Sequence, residues 1–227
     1  MRGAAAFEAR TDDGVVLRGD VVLPEAPPRA VAVLAHAMMV TRRVMDRPSG
    51  AGLASALASR GLAVVNADLR GHGESGPRAD EGATYAYDDF VTRDVTALVA
   101  AARARFPGLP VAVVGHSLGG HAAAIAAGLD PANAPDAIVA LAANLWLPKL
   151  EPSRARRVLK RSMFAGWLRL AERKGYFDPR PLKLGNNPEP LAYIRQFVRM
   201  FEEDHITSAD GRVDYEAALA RARVPLL

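Results

Sequence analysis

The sequence of 227 residues contains no cysteine. This absence excludes disulfide bonds, thiolate ligands for a metal and a cysteine nucleophile. Long hydrophobic runs are also missing, since AIVALAANLWL at residues 137–147 is shorter than the roughly 18 residues that span a bilayer. The first residues, MRGAAAFEARTDDG, reach acidic side chains before any long apolar stretch, which does not fit a signal peptide. We therefore expect a cytoplasmic protein with no stable membrane insertion.

The sequence also has little net charge. Lys and Arg number 29 against 25 Asp and Glu, and the resulting formal charge of +4 is spread along the chain. So small a surplus does not indicate nucleic-acid binding, and we expect none. Half of the residues are hydrophobic, which argues against disorder, and the length suits a single α/β domain with one sizeable core.

Short apolar runs alternate with stretches of helical periodicity in the first 143 residues. A β-hairpin is predicted around the turn TDDG at residues 11–14. Helices are predicted at residues 49–61, 88–106 and 118–128. The buried strands predicted around them are AVAVLAH, LAVVNADL, VAVVGH and DAIVALAA. This alternation predicts an α/β fold with a mostly parallel sheet, helices on both faces and a site outside the carboxyl ends of the strands.

The alternation breaks after residue 143. Residues 144–223 contain two amphipathic helical patterns and no strand-like run, and we expect a helical cap or lid inserted after a core of residues 1–143. The apolar positions of the first pattern are Val158, Leu159, Met163, Trp167 and Leu170. Those of the second pattern are Leu191, Ile194, Phe197 and Phe201. Residues 224–227, VPLL, are predicted to begin the next core strand.

One serine lies between glycines where a buried strand is predicted to turn into a helix. The stretch Gly115-His116-Ser117-Leu118-Gly119 has the spacing G-x-S-x-G. A sharp turn at this point strains the serine backbone and exposes its Oγ, while glycines avoid the clashes that a Cβ would cause. The N–H of Leu118 would lie at the helix N-terminus, where the helix dipole favours an oxyanion. These features indicate that Ser117 is a catalytic nucleophile.

Three stretches carry a resemblance to a known superfamily: the turn VVGHSLGG, the loop NADLRGHGES at residues 66–75, and LAHAMM at residues 34–39. The chain resembles the serine-nucleophile branch of the α/β-hydrolase superfamily. Within it, RKGYFDPRPLKLGNNPEP resembles bacterial predicted hydrolases related to serine aminopeptidase and to monoglyceride-lipase-like proteins. The resemblance implies Ser117 as nucleophile and the backbone N–H groups of Met38 and Leu118 as the oxyanion hole. Ala37 stands where the family usually has glycine.

The resemblance also implies an acid and then a histidine, both after the serine. They would follow the strand that residues 224–227 begin and the strand after it. We therefore expect a C-terminally shortened chain in which the last strands and the triad loops are missing. Asp68 and Glu74 do not supply the acid, because they are expected to hold arginines such as Arg70.

None of the five histidines is a strong substitute for the missing base. His36 and His72 are expected to hold loops in place, and His116 is expected to be buried in the turn. His121, one turn into the helix, is expected near the site with its ring aimed back along the helix. His205 is expected at the surface.

The leading hypothesis is a serine hydrolase that acts on carboxylic esters or related small acyl substrates through an acyl-enzyme at Ser117. Thioesterase, aminopeptidase and acyltransferase chemistry would use the same groups. No cofactor and no metal are expected. The alternative is a non-catalytic α/β-hydrolase-fold binding module or an inactive fragment. The cationic stretch 151–174 is interpreted as a solvated helix face whose apolar stripe covers the pocket, in preference to a membrane-binding surface.

Overall fold

The computed structural model describes residues 2–227, and the side chains of residues 5–227. Within this part of the chain, a six-stranded sheet has the order β1-β2-β4-β3-β5-β6. Its strands are β1 (Arg2–Arg10), β2 (Val16–Leu23), β3 (Ala30–Ala35), β4 (Leu62–Ala67), β5 (Val111–His116) and β6 (Ala137–Leu141).

The sheet is mostly parallel. Strands β4, β3, β5 and β6 run parallel to one another, whereas β1 pairs with β2 and β2 pairs with β4 in antiparallel fashion. The first two strands form the predicted hairpin, and Gly14 of its turn has a φ of 87°, which glycine adopts without steric cost. The predicted α/β fold is confirmed.

Helices connect the parallel strands. The helices between strands β3 and β6 are α1 (Leu53–Ser59), α2 (Tyr87–Asp89), α3 (Val95–Arg105) and α4 (Leu118–Leu129). The later part of the chain contains α5 (Arg154–Lys174), α6 (Leu191–Glu203) and α7 (Tyr215–Arg221). A π-helical turn at Phe90–Asp94 joins α2 to α3, so the helix predicted at residues 88–106 is present with a local widening. None of the helices in residues 2–227 combines the length and hydrophobicity needed to span a bilayer.

Strand β3 explains why both faces of the sheet carry helices. Val31 and Val33 pack in a cluster with side chains of α3 and α4, whereas Ala32 and Leu34 pack in a second cluster with α1. All four side chains are at most 1% exposed. A strand that is apolar on both sides has to be covered on both sides, and the alternating strands and helices provide that cover.

Residues 144–223 are mainly helical and pack on the α/β core. Tyr193 and Met200 of α6 belong to the same apolar cluster as Tyr87 and Phe90. The expectation that this segment lacks strands is wrong, because β7 (Tyr176–Phe177) and β8 (Glu189–Pro190) form an antiparallel pair. Two residues are too few for an alternating pattern to be visible in the sequence. The interpretation of residues 144–223 as a cap domain stays a prediction.

Helix α5 buries a different face from the predicted one. Val158, Leu159 and Leu170 are 65%, 68% and 43% exposed. The buried residues are Phe164, Trp167 and Ala171, which follow the i, i+3, i+7 spacing of one helical face. Helix α5 carries more apolar residues than one face can bury, and the side with the two large aromatic rings packs against α6 and β7. The predicted stripe is therefore corrected at these three positions.

Residues 225–227 lie parallel to β6. The N–H of Ile138 donates to the carbonyl of Pro225 at 2.9 Å, and the N–H of Leu227 donates to the carbonyl of Ile138 at 3.0 Å. Leu226 and Leu227 are exposed. The direction of this segment is the one expected for a further parallel strand, and its assignment as the beginning of such a strand stays a prediction.

The face that α5 buries can be tested by truncating one residue on each side. Phe164→Ala is expected to lower the free energy of unfolding by about 3–5 kcal/mol, because it leaves a cavity beside Trp167 and Phe201. Leu159→Ala is expected to cost less than about 0.5 kcal/mol, since its side chain is already exposed. Urea denaturation followed by circular dichroism measures both changes, and a larger loss for Leu159→Ala would contradict this packing.

Candidate active site

The turn between β5 and α4 holds Ser117 in a rare backbone conformation. Its φ is 49° and its ψ is −113°, values that a residue other than glycine adopts only at a cost. The N–H of Ser117 donates to the carbonyl of Leu141 on β6 at 2.9 Å, and its own carbonyl accepts from the N–H of His121 at 3.2 Å. The side chain of Ser117 is only partly buried. The strand, the turn and the helix are those predicted from the sequence.

The flanking glycines make this turn possible. A Cβ on Gly115 would lie 2.3 Å from the backbone nitrogen of Gly120. A Cβ on Gly119 would lie 2.3 Å from the carbonyl oxygen of Ala35, at the end of β3. Real contacts are never this short, so any side chain at these positions would push α4 away from the sheet.

Two backbone N–H groups beyond the carboxyl ends of β3 and β5 have no acceptor among residues 2–227. Leu118 is the first residue of α4, so no carbonyl within the helix precedes it to accept its N–H. Met38 follows β3, and among residues 2–227 its N–H has no hydrogen-bond acceptor. Because Ala35 pairs with Gly115 in the parallel register, Met38 and Leu118 each lie three residues beyond a matched pair. An oxyanion hole requires N–H groups without acceptors at the same end of the sheet. The assignment of Met38 and Leu118 to an oxyanion hole stays a prediction.

His36 and His72 both hold loops, as expected. The Nε2 of His36 accepts the N–H of Leu69 at 3.0 Å, and its Nδ1 donates to the carbonyl of Ala37 at 2.8 Å. Burial lowers the pKa of His36 to about 3, so the ring is neutral and can accept at Nε2. The Nδ1 of His72 lies 2.8 Å from the carbonyl of Arg70. The two rings lie side by side at 4.9 Å.

Glu189 is a fully buried carboxylate that the sequence analysis did not single out. It accepts the N–H of Met39 at 2.5 Å and the hydroxyl of Tyr85 at 3.1 Å, and its Oε1 lies 3.1 Å from Nε2 of His72. Glu189 lies on β8, far along the chain from all three partners. Its carboxylate thus connects the segment after β7 to the loops that follow β3 and β4.

The hydrogen-bond partners of the His72 ring determine its protonation state when Glu189 is ionised. Nδ1 of His72 faces a carbonyl and Nε2 faces a carboxylate, and neither of these groups can donate. Both ring nitrogens must therefore carry a proton, which makes His72 an imidazolium paired with Glu189. Burial opposes this charge and is the largest single effect, but Glu189, the Arg70 carbonyl and Asp68 together raise the pKa of His72 above its ordinary value of 6.5.

The residues before Glu189 hold the same two loops. We call residues 185–190 the GNNPEP segment. The backbone N–H groups of Asn186 and Asn187 both donate to the carbonyl of Met39, at 2.9 and 3.0 Å. The buried side chain of Asn187 donates to the carbonyl of Gly71 at 2.9 Å. A Cβ on Gly185 would lie 2.2 Å from the Met39 carbonyl, so only glycine allows this approach. In the sequence this segment contains, apart from one glutamate, only residues that interrupt helices and strands. The one feature that could have marked it as functional is a carboxylate between two prolines.

The arginine partners differ from the expectation. Asp68 and Glu74 bind Arg42, not Arg70. Arg70 pairs with Asp94 at 2.7 Å, because the π-helical turn brings that carboxylate under the loop after β4. The pairing therefore depends on a helix that approaches from further along the chain, which the loop sequence does not encode.

The rings of His121 and His205 are engaged elsewhere than at the Ser117 hydroxyl. Within residues 2–227, no histidine ring hydrogen-bonds the Oγ of Ser117. The Nδ1 of His121 lies 2.6 Å from the hydroxyl of Tyr87, and His205 pairs with Asp214 and Glu216. His116 is only partly buried, contrary to expectation, because it is the last residue of β5 and lies at the open end of the strand. Across the same residues, no group of three or more His, Asp and Glu side chains could hold a metal ion.

A family model matches most of the chain. Residues 26–223 match the model of the serine aminopeptidase S33 family. The matched range includes Ser117, Met38 and all of residues 144–223.

Solved structures share the fold at low sequence identity. The esterase Pf2001 of Pyrococcus furiosus matches with a TM-score of 0.59 and 21% identity over 99% of this chain and 69% of that chain. In a second crystal form the match covers 59% of that esterase, so the two matches span between 59% and 69% of its length. The bottromycin epimerase BotH, bound to bottromycin A2, matches with a TM-score of 0.53 and 18% identity over 97% and 88%. The hypothetical protein PA1622 of Pseudomonas aeruginosa matches with a TM-score of 0.52 and 16% sequence identity, and the match covers 98% of this chain and 79% of that chain.

The close approach of α4 to β3 predicts opposite effects for two glycine substitutions. Gly119→Ala is expected to lower the free energy of unfolding by about 2–3 kcal/mol, because its Cβ would overlap the Ala35 carbonyl. Gly166→Ala in α5 is the control, because its Cβ would meet no atom within 4 Å. It is expected to stabilise the protein by about 0.5–1 kcal/mol. Urea denaturation measures both, and similar effects at the two positions would contradict the tight turn.

The buried ion pair predicts a pH-dependent effect of Glu189→Gln. A group whose pKa is raised on folding stabilises the fold while it is protonated, and loses this contribution as pH rises through the raised value. Glutamine still accepts from Met39 but removes the charge that His72 needs. Glu189→Gln is therefore expected to cost about 2 kcal/mol below pH 6.5, the ordinary pKa of histidine, and progressively less as the pH rises through the raised pKa of wild-type His72.

Glu189→Ala is the matched control for this experiment, because it removes the hydrogen bonds at every pH. Its cost is expected to exceed that of the glutamine variant across the whole range. Urea denaturation at a series of pH values gives both curves. A glutamine cost that stays constant or grows with pH would contradict the ion pair.

Proposed function

The chain belongs to the serine aminopeptidase S33 family of α/β-hydrolases, and from this premise we propose that it is a serine hydrolase of small carboxylic esters or related acyl compounds, acting through an acyl-enzyme at Ser117. The observation that carries the proposal is the strained turn that presents Ser117, at the start of α4, beside two free backbone N–H groups. Strain of this kind persists where the surrounding structure enforces it, and such positions cluster at active sites.

The proposed reaction begins when Oγ of Ser117 attacks the substrate carbonyl. An Oγ–C bond forms, the Oγ proton passes to a general base, and the carbonyl oxygen becomes an oxyanion. The N–H groups of Leu118 and Met38 donate to that oxyanion. The bond to the leaving alcohol then breaks, and the alcohol takes up the proton. A water molecule attacks the acyl-enzyme in the same way and releases the acid.

Glu189 supports the oxyanion donor at Met38 indirectly. Its carboxylate fixes the N–H of Met39, and the GNNPEP segment fixes the carbonyl of the same residue. The two peptide units on either side of the Met39 Cα are therefore each held by hydrogen bonds. The neighbouring N–H of Met38 keeps its direction without an acceptor of its own, which is the preorganisation that stabilises a developing charge.

A second candidate function is a non-catalytic binding module with the same fold. The observation that favours it is the use of the histidines within residues 2–227. His36, His72, His121 and His205 all have ring partners other than Ser117. The bottromycin epimerase BotH, which shares this fold, is an example of a protein with the fold that is not named an esterase. In this reading the free N–H groups would hold the carbonyl of a ligand without cleaving it.

Labelling of the serine separates the two functions. Wild-type protein is expected to react covalently with a fluorophosphonate probe and, where a general base reaches Oγ of Ser117, to hydrolyse p-nitrophenyl esters, whereas Ser117→Ala is expected to lose both. Mass spectrometry of the labelled peptide identifies the modified residue. Ser59→Ala is the control, since its hydroxyl is bound to the Ala56 carbonyl on an exposed helix end.

Two results would count against the proposal. Labelling that persists in Ser117→Ala would place the nucleophile elsewhere. A folded wild-type protein that reacts with neither probe nor ester would favour the binding module.

A further inference from the structure

A small apolar cavity lies one helical turn beyond Ser117. Its volume is about 30 Å³. Apolar and aromatic side chains dominate its lining, which comprises Tyr87, His121, Asn144, Leu145, Trp146, Leu147, Phe197, Met200, Phe201 and Ile206. Cavities that are mostly apolar with few polar groups are typical of small-molecule sites.

His121 contributes a polar group to this cavity, and its partner fixes the tautomer. Tyr87 is buried, and burial raises the pKa of its hydroxyl well above the ordinary value, so it keeps its proton. The hydroxyl lies 2.6 Å from Nδ1 of His121, and it has no other partner among residues 2–227. A buried donor is rarely left unpaired, so the hydroxyl donates and Nδ1 accepts. Burial lowers the pKa of His121 to about 4, so the ring is neutral and carries its proton on Nε2.

The cavity adjoins the helix that follows the proposed nucleophile, and Ser117 itself is not one of its lining residues. The N–H of His121 donates to the carbonyl of Ser117, which places the two residues on successive turns. Side chains on a helix lean towards its N-terminus, so the ring of His121 lies over the turn that begins at Ser117. Asn144 and Leu145 of the lining follow β6, whose Leu141 carbonyl holds the N–H of Ser117.

We propose that this cavity is the acyl subsite, and that Nε2–H of His121 selects short acyl groups that carry a carbonyl or hydroxyl oxygen beyond the reacting carbonyl. The proposal rests on the proposed function of Ser117. The cavity is small and partly open to solvent, which suits an acyl group of a few non-hydrogen atoms. A purely alkyl group of the same size would bury Nε2–H without an acceptor, whereas an oxygen at that place would satisfy it.

Direct binding tests this subsite without requiring turnover. The Ser117→Ala, Trp167→Phe protein keeps Trp146 as its single tryptophan, in the cavity wall. Its fluorescence is titrated with methyl acetoacetate and with methyl 3-methylbutanoate, which has the same number of non-hydrogen atoms but a methyl group in place of the second carbonyl oxygen. The oxygen-bearing ester is expected to bind about fivefold more tightly, as one neutral hydrogen bond predicts.

Three variants in the same background assign the preference to the ring. His121→Gln places an amide N–H near the position of Nε2 and is expected to keep most of the preference, whereas His121→Leu is expected to abolish it. Tyr87→Phe frees the tautomer and is expected to reduce the preference about twofold, as two equally populated tautomers predict. Circular dichroism checks that each variant is folded. If His121→Leu does not fold, Tyr87→Phe still tests the proposal, because it keeps the His121 ring and is expected to halve the preference.

The outcomes separate this inference from the function of Ser117. Equal affinity for the two esters, or a preference that survives in His121→Leu, would overturn the subsite even if wild-type Ser117 is labelled. A preference that depends on His121 in a protein whose Ser117 is never labelled would support the subsite and overturn the hydrolase.

Discussion

The turn at Ser117 is the constraint from which the rest of the site follows. A positive φ at a residue with a side chain is held there by contacts on both sides, because Gly115 touches the start of α4 and Gly119 touches the end of β3. The same contacts fix the distance of α4 from the sheet. They therefore also determine where the first N–H of the helix points, and which carbonyl of β6 can hold the serine backbone. A single tight turn thus sets the position of a hydroxyl and of a hydrogen-bond donor together.

The pair of Glu189 and His72 has a different role from that of the apolar core. Two buried charges lose their hydration, and a well-packed apolar pair would often be as stable. A charged pair does, however, require one geometry, because both ring nitrogens and both carboxylate oxygens need their partners. We infer that the pair specifies how residues 185–190 pack against the loops after β3 and β4. Since one of those loops carries Met38, the position of this remote segment also affects the N–H group that we propose as an oxyanion donor.

The parts of this structure that are encoded locally could be predicted, and those that depend on distant partners could not. The strand, the turn and the helix around Ser117 form one continuous pattern of apolar residues and glycines. Glu189 meets His72 and Met39 from 117 and 150 residues away, and nothing beside it in the sequence marks those partners. The buried face of α5 was missed for a related reason, since apolar residues lie on several sides of that helix and its neighbours decide which of them is covered.

The geometry also separates the binding of a carbonyl from its cleavage. The hydroxyl of Ser117 and the N–H groups of Leu118 and Met38 are consequences of how β3, β5 and α4 meet, and they need no histidine. Histidine chemistry has to come from a loop that reaches Oγ from outside this unit. The rings of His36, His72 and His121 instead serve the structure around the site, where each satisfies a buried hydrogen-bonding group. In the proposed function a carbonyl compound would therefore be held and oriented by the fold alone, whereas turnover would also require a base that reaches Oγ from outside this unit.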